Sequence, residues 1–335
     1  MKSFLILLTV SILFFSCTNT EENPVLVKDY FNYGETGLKT GGVAMIPIKT
    51  PIGTFKVWTK RFGNNPAIKV LLLHGGPGST HEYMESFESF FPQENIEFYE
   101  YDQLGSYYSD QPTDSSLWTN ERFVDEVEQV RLALGLNKDN FFLLGNSWGG
   151  ILAMEYALKY QQNLKGLIIC NMMSSCIDYG RYAEVLMRQM DPKILDTLKI
   201  LEAVKDYSNP KYTELLTKHY YNLHICRLSE WPEAVNRSFK HINPSVYILM
   251  QGPSEMGISG RLANWDIKNR LKEITVPTLV VGANNDTMDP EHMKWMSSQF
   301  PKGQFLLCPK GSHMSMWDDQ EHFFPGVIKF IKAVK

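Results

Sequence analysis

Short apolar runs bounded by turn residues alternate along the chain with stretches whose apolar positions recur at helical spacing. The clearest runs are Ile68–Leu73, Ile96–Asp102, Asn140–Gly145, Leu164–Cys170, Pro277–Gly282 and Gly303–Cys308. Helical signals lie in ERFVDEVEQVRLALGL, ILAMEYALKY, PEHMKWMSSQF and the C-terminal EHFFPGVIKFIKAVK. This alternation predicts an α/β protein with a mostly parallel central sheet flanked by helices. Gly42 to Thr59 reads as an antiparallel entry hairpin turning at PIGT.

Between residues 173 and 271 the alternation stops. That segment reads as helices rich in Tyr, Met, His and Trp, inserted between two strands of the sheet. It predicts a helical cap over the sheet's carboxyl edge, where open α/β sheets place their ligands. The core is then 42–172 together with 272–335.

The chain's 335 residues, 44% apolar and 21% charged, suit a domain of this kind with a substantial core. A net charge of -4 without a Lys/Arg cluster argues against a nucleic-acid surface. Cys170, Cys176, Cys226 and Cys308 match no metal spacing and read as buried thiols, with one disulfide left open.

The amino terminus is of a different kind. After Met1-Lys2 comes FLILLTVSILFF, too short to span a bilayer comfortably but right for a signal h-region. Ser16-Cys17 and a polar stretch, TNTEENP, follow. This leader resembles a bacterial lipoprotein signal, with Phe14 where that pattern usually has Leu. The resemblance implies a signal peptide over 1–16, an acylated Cys17 and a polar tether and extension over 17–41. The protein would then be exported and held on a lipid bilayer of a bacterial cell envelope, at the periplasmic or outer-membrane face.

The chemistry begins at FFLLGNSWGGILAMEYAL, where an apolar run drops onto Gly-Asn-Ser-Trp-Gly and a helix follows. Gly145-Asn146-Ser147-Trp148-Gly149 fits the nucleophile elbow of the α/β-hydrolase fold, with strand before and helix after. A serine there stands on a sharp turn, and glycines two residues either side avoid a collision. The Trp148 amide, at the helix start, can donate to an oxyanion.

A serine needs a histidine to accept its proton and an acid to orient that histidine, in the chain order Ser, acid, His. His313 alone follows the last strand, whereas His219, His224 and His241 fall in the cap and His292 and His322 on helical stretches. Asp286 ends the loop after the strand PTLVVG, and Asp289 before Pro290 reads as a helix cap. The loop HGGPG, His74 to Gly78, offers Gly76 as a second oxyanion donor beside Trp148.

HGGPG, YDQLGSYYSD, GNSWGG, WDIKNRLKEITVPTLVVGANND and GSHMSMWDD together resemble the proline iminopeptidase family of α/β-hydrolases. The similarity runs from about Gly42 to the carboxyl end. It implies a serine peptidase that removes an N-terminal residue, preferably proline, from short peptides through an acyl-enzyme. It also implies that Glu255, in MQGPSEMGISG, binds the substrate's free amine. Family members often carry a second glutamate directly after the catalytic aspartate; here that residue is Thr287, which puts strict proline specificity in question. An esterase or amino-acid amidase on the same scaffold, or a non-catalytic peptide-binding lipoprotein, are the alternatives. No cofactor is expected, and no convincing metal-ligand set stands in the chain.

Overall fold

The computed structural model describes residues 32–334. The leader, with Cys17, lies outside the described residues. Among the described residues eight strands form one sheet: β1 (Val43–Thr50), β2 (Gly53–Phe62), β3 (Lys69–Leu73), β4 (Glu97–Asp102), β5 (Phe141–Asn146), β6 (Gly166–Cys170), β7 (Thr278–Ala283) and β8 (Gly303–Cys308). Their order is β1-β2-β4-β3-β5-β6-β7-β8. The β1–β2 and β2–β4 pairings are antiparallel and the rest are parallel.

The central strands β3, β5, β6 and β7 are apolar at nearly every position because both faces of the sheet are covered there. Alternate side chains go to opposite sides. Leu71, Leu73, Leu143, Ile169 and Val280 join one core; Val70, Leu72, Leu144, Ile168 and Val281 join the other. The first core includes residues of α1 (Asn120–Ala133) and α2 (Trp148–Tyr160).

The connection from β6 to β7 carries the inserted helices α3 (Cys176–Met187), α4 (Pro192–Ala203), α5 (Pro210–Leu216), α6 (Glu233–Lys240) and α7 (Pro244–Met250). The longer helices that follow are α8 (Pro290–Gln299) after β7 and α9 (Gln320–Ala333) after β8. The inserted segment is fastened to the loops at the carboxyl edge of the sheet. Asn243 N–H donates to Gly78 O at 2.8 Å, and the His313 and Met314 amides donate to His224 O and Ile225 O at 2.9 Å. Arg237 on α6 forks across Glu82 and Glu85 of the 3-10 segment His81–Ser89, at 2.8 and 2.7 Å. His241 meets Glu82 at 2.8 Å and stacks on Tyr107.

Cys170, Cys176, Cys226 and Cys308 are all buried and unpaired. Burial pushes the Cys226 and Cys308 thiols up to about 12, which suits inert packing groups. Among the described residues no helix is long and apolar enough to cross a membrane.

Candidate active site

Ser147 follows β5 with φ 56° and ψ -127°, a conformation that L-residues seldom adopt. Backbone bonds hold it there: its N–H donates to Cys170 O at 3.0 Å, and its carbonyl accepts from Gly150 N–H at 2.7 Å. The flanking glycines are sterically required. A Cβ at Gly145 would lie 1.9 Å from Gly149 O, and one at Gly149 would lie 2.1 Å from Leu73 O. Strand, turn and helix therefore press together so closely that only hydrogen fits at both positions.

Asp286 and His313 come from the loops after β7 and β8. Nδ1 of His313 lies 2.8 Å from Oδ1 of Asp286, and both residues are buried. With the Nδ1 proton directed to the carboxylate, Nε2 is the basic nitrogen. Burial alone pushes the imidazole down, but the Asp286 charge and hydrogen bond outweigh it, and the Glu255 charge adds to them. The net pKa lies above the ordinary histidine value. Asp289 caps α8 instead, accepting from Glu291 N–H at 2.9 Å.

The other Asp286 oxygen accepts from Asn171 Nδ2 at 2.7 Å. Asn171 follows β6 at φ 53°; its amide also donates to Ser312 O at 3.1 Å and accepts from Ser315 Oγ at 3.1 Å. It thus ties the acid to the His313 loop. Sequence reasoning did not single it out, although its place directly after a central strand was the available signal. Thr287 is fully buried, and its hydroxyl lies 3.3 Å from both Asp286 Oδ1 and His313 Nδ1. The residue standing for a second glutamate therefore faces the Asp–His pair.

The HGGPG loop crosses close to the serine. A Cβ on Gly75 would come within 3.0 Å of Ser147 Cβ. Gly75 N–H donates to the Tyr83 hydroxyl at 2.7 Å, which in turn donates to Asn146 Oδ1 at 2.9 Å. That amide is already engaged, and the next residue, Gly76, lines the cavity. Trp148 is the first residue of α2, where amides have no partner within the helix.

Ser147, His313 and Glu255 line one cavity of about 320 Å³, walled by Tyr212, Leu216, Tyr221, Ile225, Phe239 and Met314 among others. Glu255 takes hydrogen bonds from Tyr247 at 2.5 Å and Tyr179 at 3.4 Å, and Tyr179 also donates to its backbone carbonyl at 2.9 Å. Among the described residues no cation pairs with it. Phenols orient this carboxylate without neutralising it, so its negative charge faces a largely apolar cavity.

A second buried histidine–aspartate pair exists. His81 Nδ1 lies 2.8 Å from Asp102 Oδ1, with the ring stacked on Trp58. Neither residue lines the cavity that holds Ser147. Among the described residues no group of three or more His, Cys, Asp or Glu side chains is placed to hold a metal.

The geometry defines an α/β-hydrolase, and the model of the α/β-hydrolase fold family matches residues 69–320. The chain is 68% identical over 292 residues to a proline iminopeptidase of Elizabethkingia meningoseptica, covering 87% of this chain and 98% of that one. The crystal structure of a proline iminopeptidase from Mycobacterium smegmatis superposes with TM-score 0.76 at 28% identity, covering 87% and 97% of the two chains. The crystal structure of VinJ superposes at TM-score 0.81 and 28% identity, covering 87% and 99%. The chain belongs to the proline iminopeptidase family of α/β-hydrolases.

Proposed function

We propose that the protein is a serine aminopeptidase releasing an N-terminal residue, preferably proline, from short peptides. The observation that carries this reading is the unpaired Glu255 carboxylate sharing one cavity with Ser147 and His313. A protonated N-terminus satisfies that charge; an internal peptide bond brings none. The apolar wall of Tyr221, Ile225, Phe239 and Met314 suits a compact ring such as proline's. The relatives' names point to the same residue.

The amine pairs with Glu255 and sets the first carbonyl over Ser147. His313, oriented by Asp286, takes the Ser147 proton as the oxygen attacks. The Gly76 and Trp148 amides take up the developing oxyanion. His313 then protonates the leaving amine, and water, deprotonated by the same imidazole, releases the acid from Ser147. With Thr287 turned to the Asp–His pair, Glu255 is the one carboxylate among the described residues that lines the cavity, so selection of the amine rests on it. Turnover of prolyl, alanyl and leucyl anilides beside simple acyl esters tests this reading. We expect the prolyl anilide to be the best amide substrate; reaction of the uncharged esters alone would leave an esterase.

The pH dependence has a definite sign. His313 must be neutral to act as base, so kcat/KM is expected to fall as pH drops through a midpoint above the ordinary imidazole value of about 6.5. The Glu255 charge contributes to that elevation. A bound ammonium neutralises it, so the midpoint of the kcat profile should lie lower than that of kcat/KM. An acyl ester without an amine should show no such separation. Coincident midpoints for the prolyl anilide would remove Glu255 from contact with the amine.

The leader motif supports one further part of the proposal, that Cys17 is acylated and anchors the enzyme to the cell envelope. The Cys17→Ser protein should move from the detergent phase to the aqueous phase on phase separation, and fail to incorporate labelled fatty acid. An unchanged partition would refute the anchor.

A further inference from the structure

We infer that His74 and Gln103 are positioning residues that lock the orientation of one oxyanion donor and brace it against the other. This inference rests on the proposed acyl-enzyme chemistry. The ends of β4, β3 and β5 lie side by side in the sheet, which brings Gln103, His74 and Trp148 into one buried cluster. Gln103 N–H donates to His74 Nε2 at 3.1 Å, and Gln103 Nε2 donates to His74 O at 3.0 Å. The Gln103 side-chain carbonyl accepts from the Trp148 indole N–H at 2.8 Å.

Because Nε2 of His74 accepts, its proton is on Nδ1, and that N–H donates to Gly75 O at 2.8 Å. The Gly75 carbonyl and the Gly76 N–H belong to the same planar trans peptide, so they point in opposite directions. Holding the carbonyl back on the imidazole aims the Gly76 N–H the other way. The lock is needed because this peptide joins two glycines, with Gly76 at φ 109°, and has little steric resistance to flipping. Flipped, it would present an oxygen where the oxyanion forms. Burial pushes His74 down to about 4, which keeps the required neutral tautomer through the working pH range.

Gln103 couples the two halves. Its one side chain holds the His74 carbonyl at one end and the Trp148 indole at the other. The indole in turn packs edge-on against Phe123, fixing the residue whose amide opens α2. Neither His74 nor Gln103 lines the cavity, so neither is placed to touch substrate.

The test is Gln103→Met, which removes both side-chain bonds at similar volume, with Trp148→Phe removing only the indole donor. For Gln103→Met we expect kcat on a prolyl anilide to fall roughly 100-fold, the scale of losing one oxyanion donor, with KM within about threefold. Affinity for prolinal, whose adduct with Ser147 carries the oxyanion, should fall in parallel, while inhibition by free proline stays unchanged. Trp148→Phe should show the same pattern, weaker by about tenfold, and serves alone if Gln103→Met does not fold. Prolinal affinity close to wild type in the folded variant, or equal weakening of prolinal and proline, would overturn the assignment. A wild type that turns over only esters would instead sink the aminopeptidase reading. The lock would then be read from the same variant ratio on a p-nitrophenyl ester, because the oxyanion hole serves both reactions.

Discussion

Ser147→Ala should fold as the wild type does and lose about 10⁴- to 10⁶-fold in kcat on any substrate that the enzyme cleaves. Folding should survive because the bonds that hold position 147 are made by backbone atoms. They run from its N–H to Cys170 O and from Gly150 N–H to its carbonyl. Alanine meets the same left-handed φ as serine and adds no bulk. Chemistry should fail because no other hydroxyl is carried on that turn above β5. A fluorophosphonate reagent should label the wild type and leave the variant unmarked. Labelling that persists in Ser147→Ala would place the nucleophile elsewhere. A folded wild type that neither labels nor turns over peptides would favour a protein that binds peptides without cleaving them.

The sheet was legible because burial on both faces leaves long apolar runs, and turn residues punctuate them. The six runs read as strands lie within a residue or two of β3 to β8, and PIGT turns the β1–β2 hairpin. The elbow was legible for a steric reason: a Cβ on Gly145 or Gly149 would stand 1.9 or 2.1 Å from a backbone carbonyl oxygen, far inside van der Waals contact, so the sequence had no other choice there. What pairs across the sheet left weaker marks. His81–Asp102 and His313–Asp286 have the same nitrogen–oxygen distance, 2.8 Å, and only the loop after the last strand marked His313 in advance. Asn171, Tyr83 and Gln103 act through partners 60 residues or more away or on neighbouring strand ends, in contacts that local pattern cannot carry. Thr287 was visible as a missing acid, but that its hydroxyl faces the Asp–His pair needed the fold.

Glu255→Gln is the substitution that separates recognition from chemistry. Glutamine matches glutamate in size; its one carbonyl oxygen can still accept from Tyr247, and its NH2 can donate to the Tyr179 hydroxyl, which keeps its bond to the backbone carbonyl of residue 255, so the wall of the cavity should keep its shape. What it loses is the charge. Removing one member of an enclosed, hydrogen-bonded ion pair costs about 2–5 kcal/mol, and Glu255 is half-buried, so the lower part of that range applies. At about 1.4 kcal/mol per factor of ten, kcat/KM on a prolyl anilide should fall at least roughly 30-fold. Most of the loss should enter KM, because the ammonium is bound in the ground state as well as in the transition state. An acyl ester that reacts at Ser147 without an amine should gain or stay level, since a half-buried negative charge no longer opposes an uncharged ligand. The raised pKa of His313 should also relax downward, shifting the acid limb of kcat/KM to lower pH in this variant. Equal losses on anilide and ester would make Glu255 a structural member of the phenol cluster. Unchanged selectivity among prolyl, alanyl and leucyl anilides, with unchanged kcat/KM, would remove it from amine binding altogether. The outcome expected here, an enzyme that keeps its nucleophile and loses its preference for a charged N-terminus, would assign exopeptidase selectivity to one carboxylate held by tyrosines.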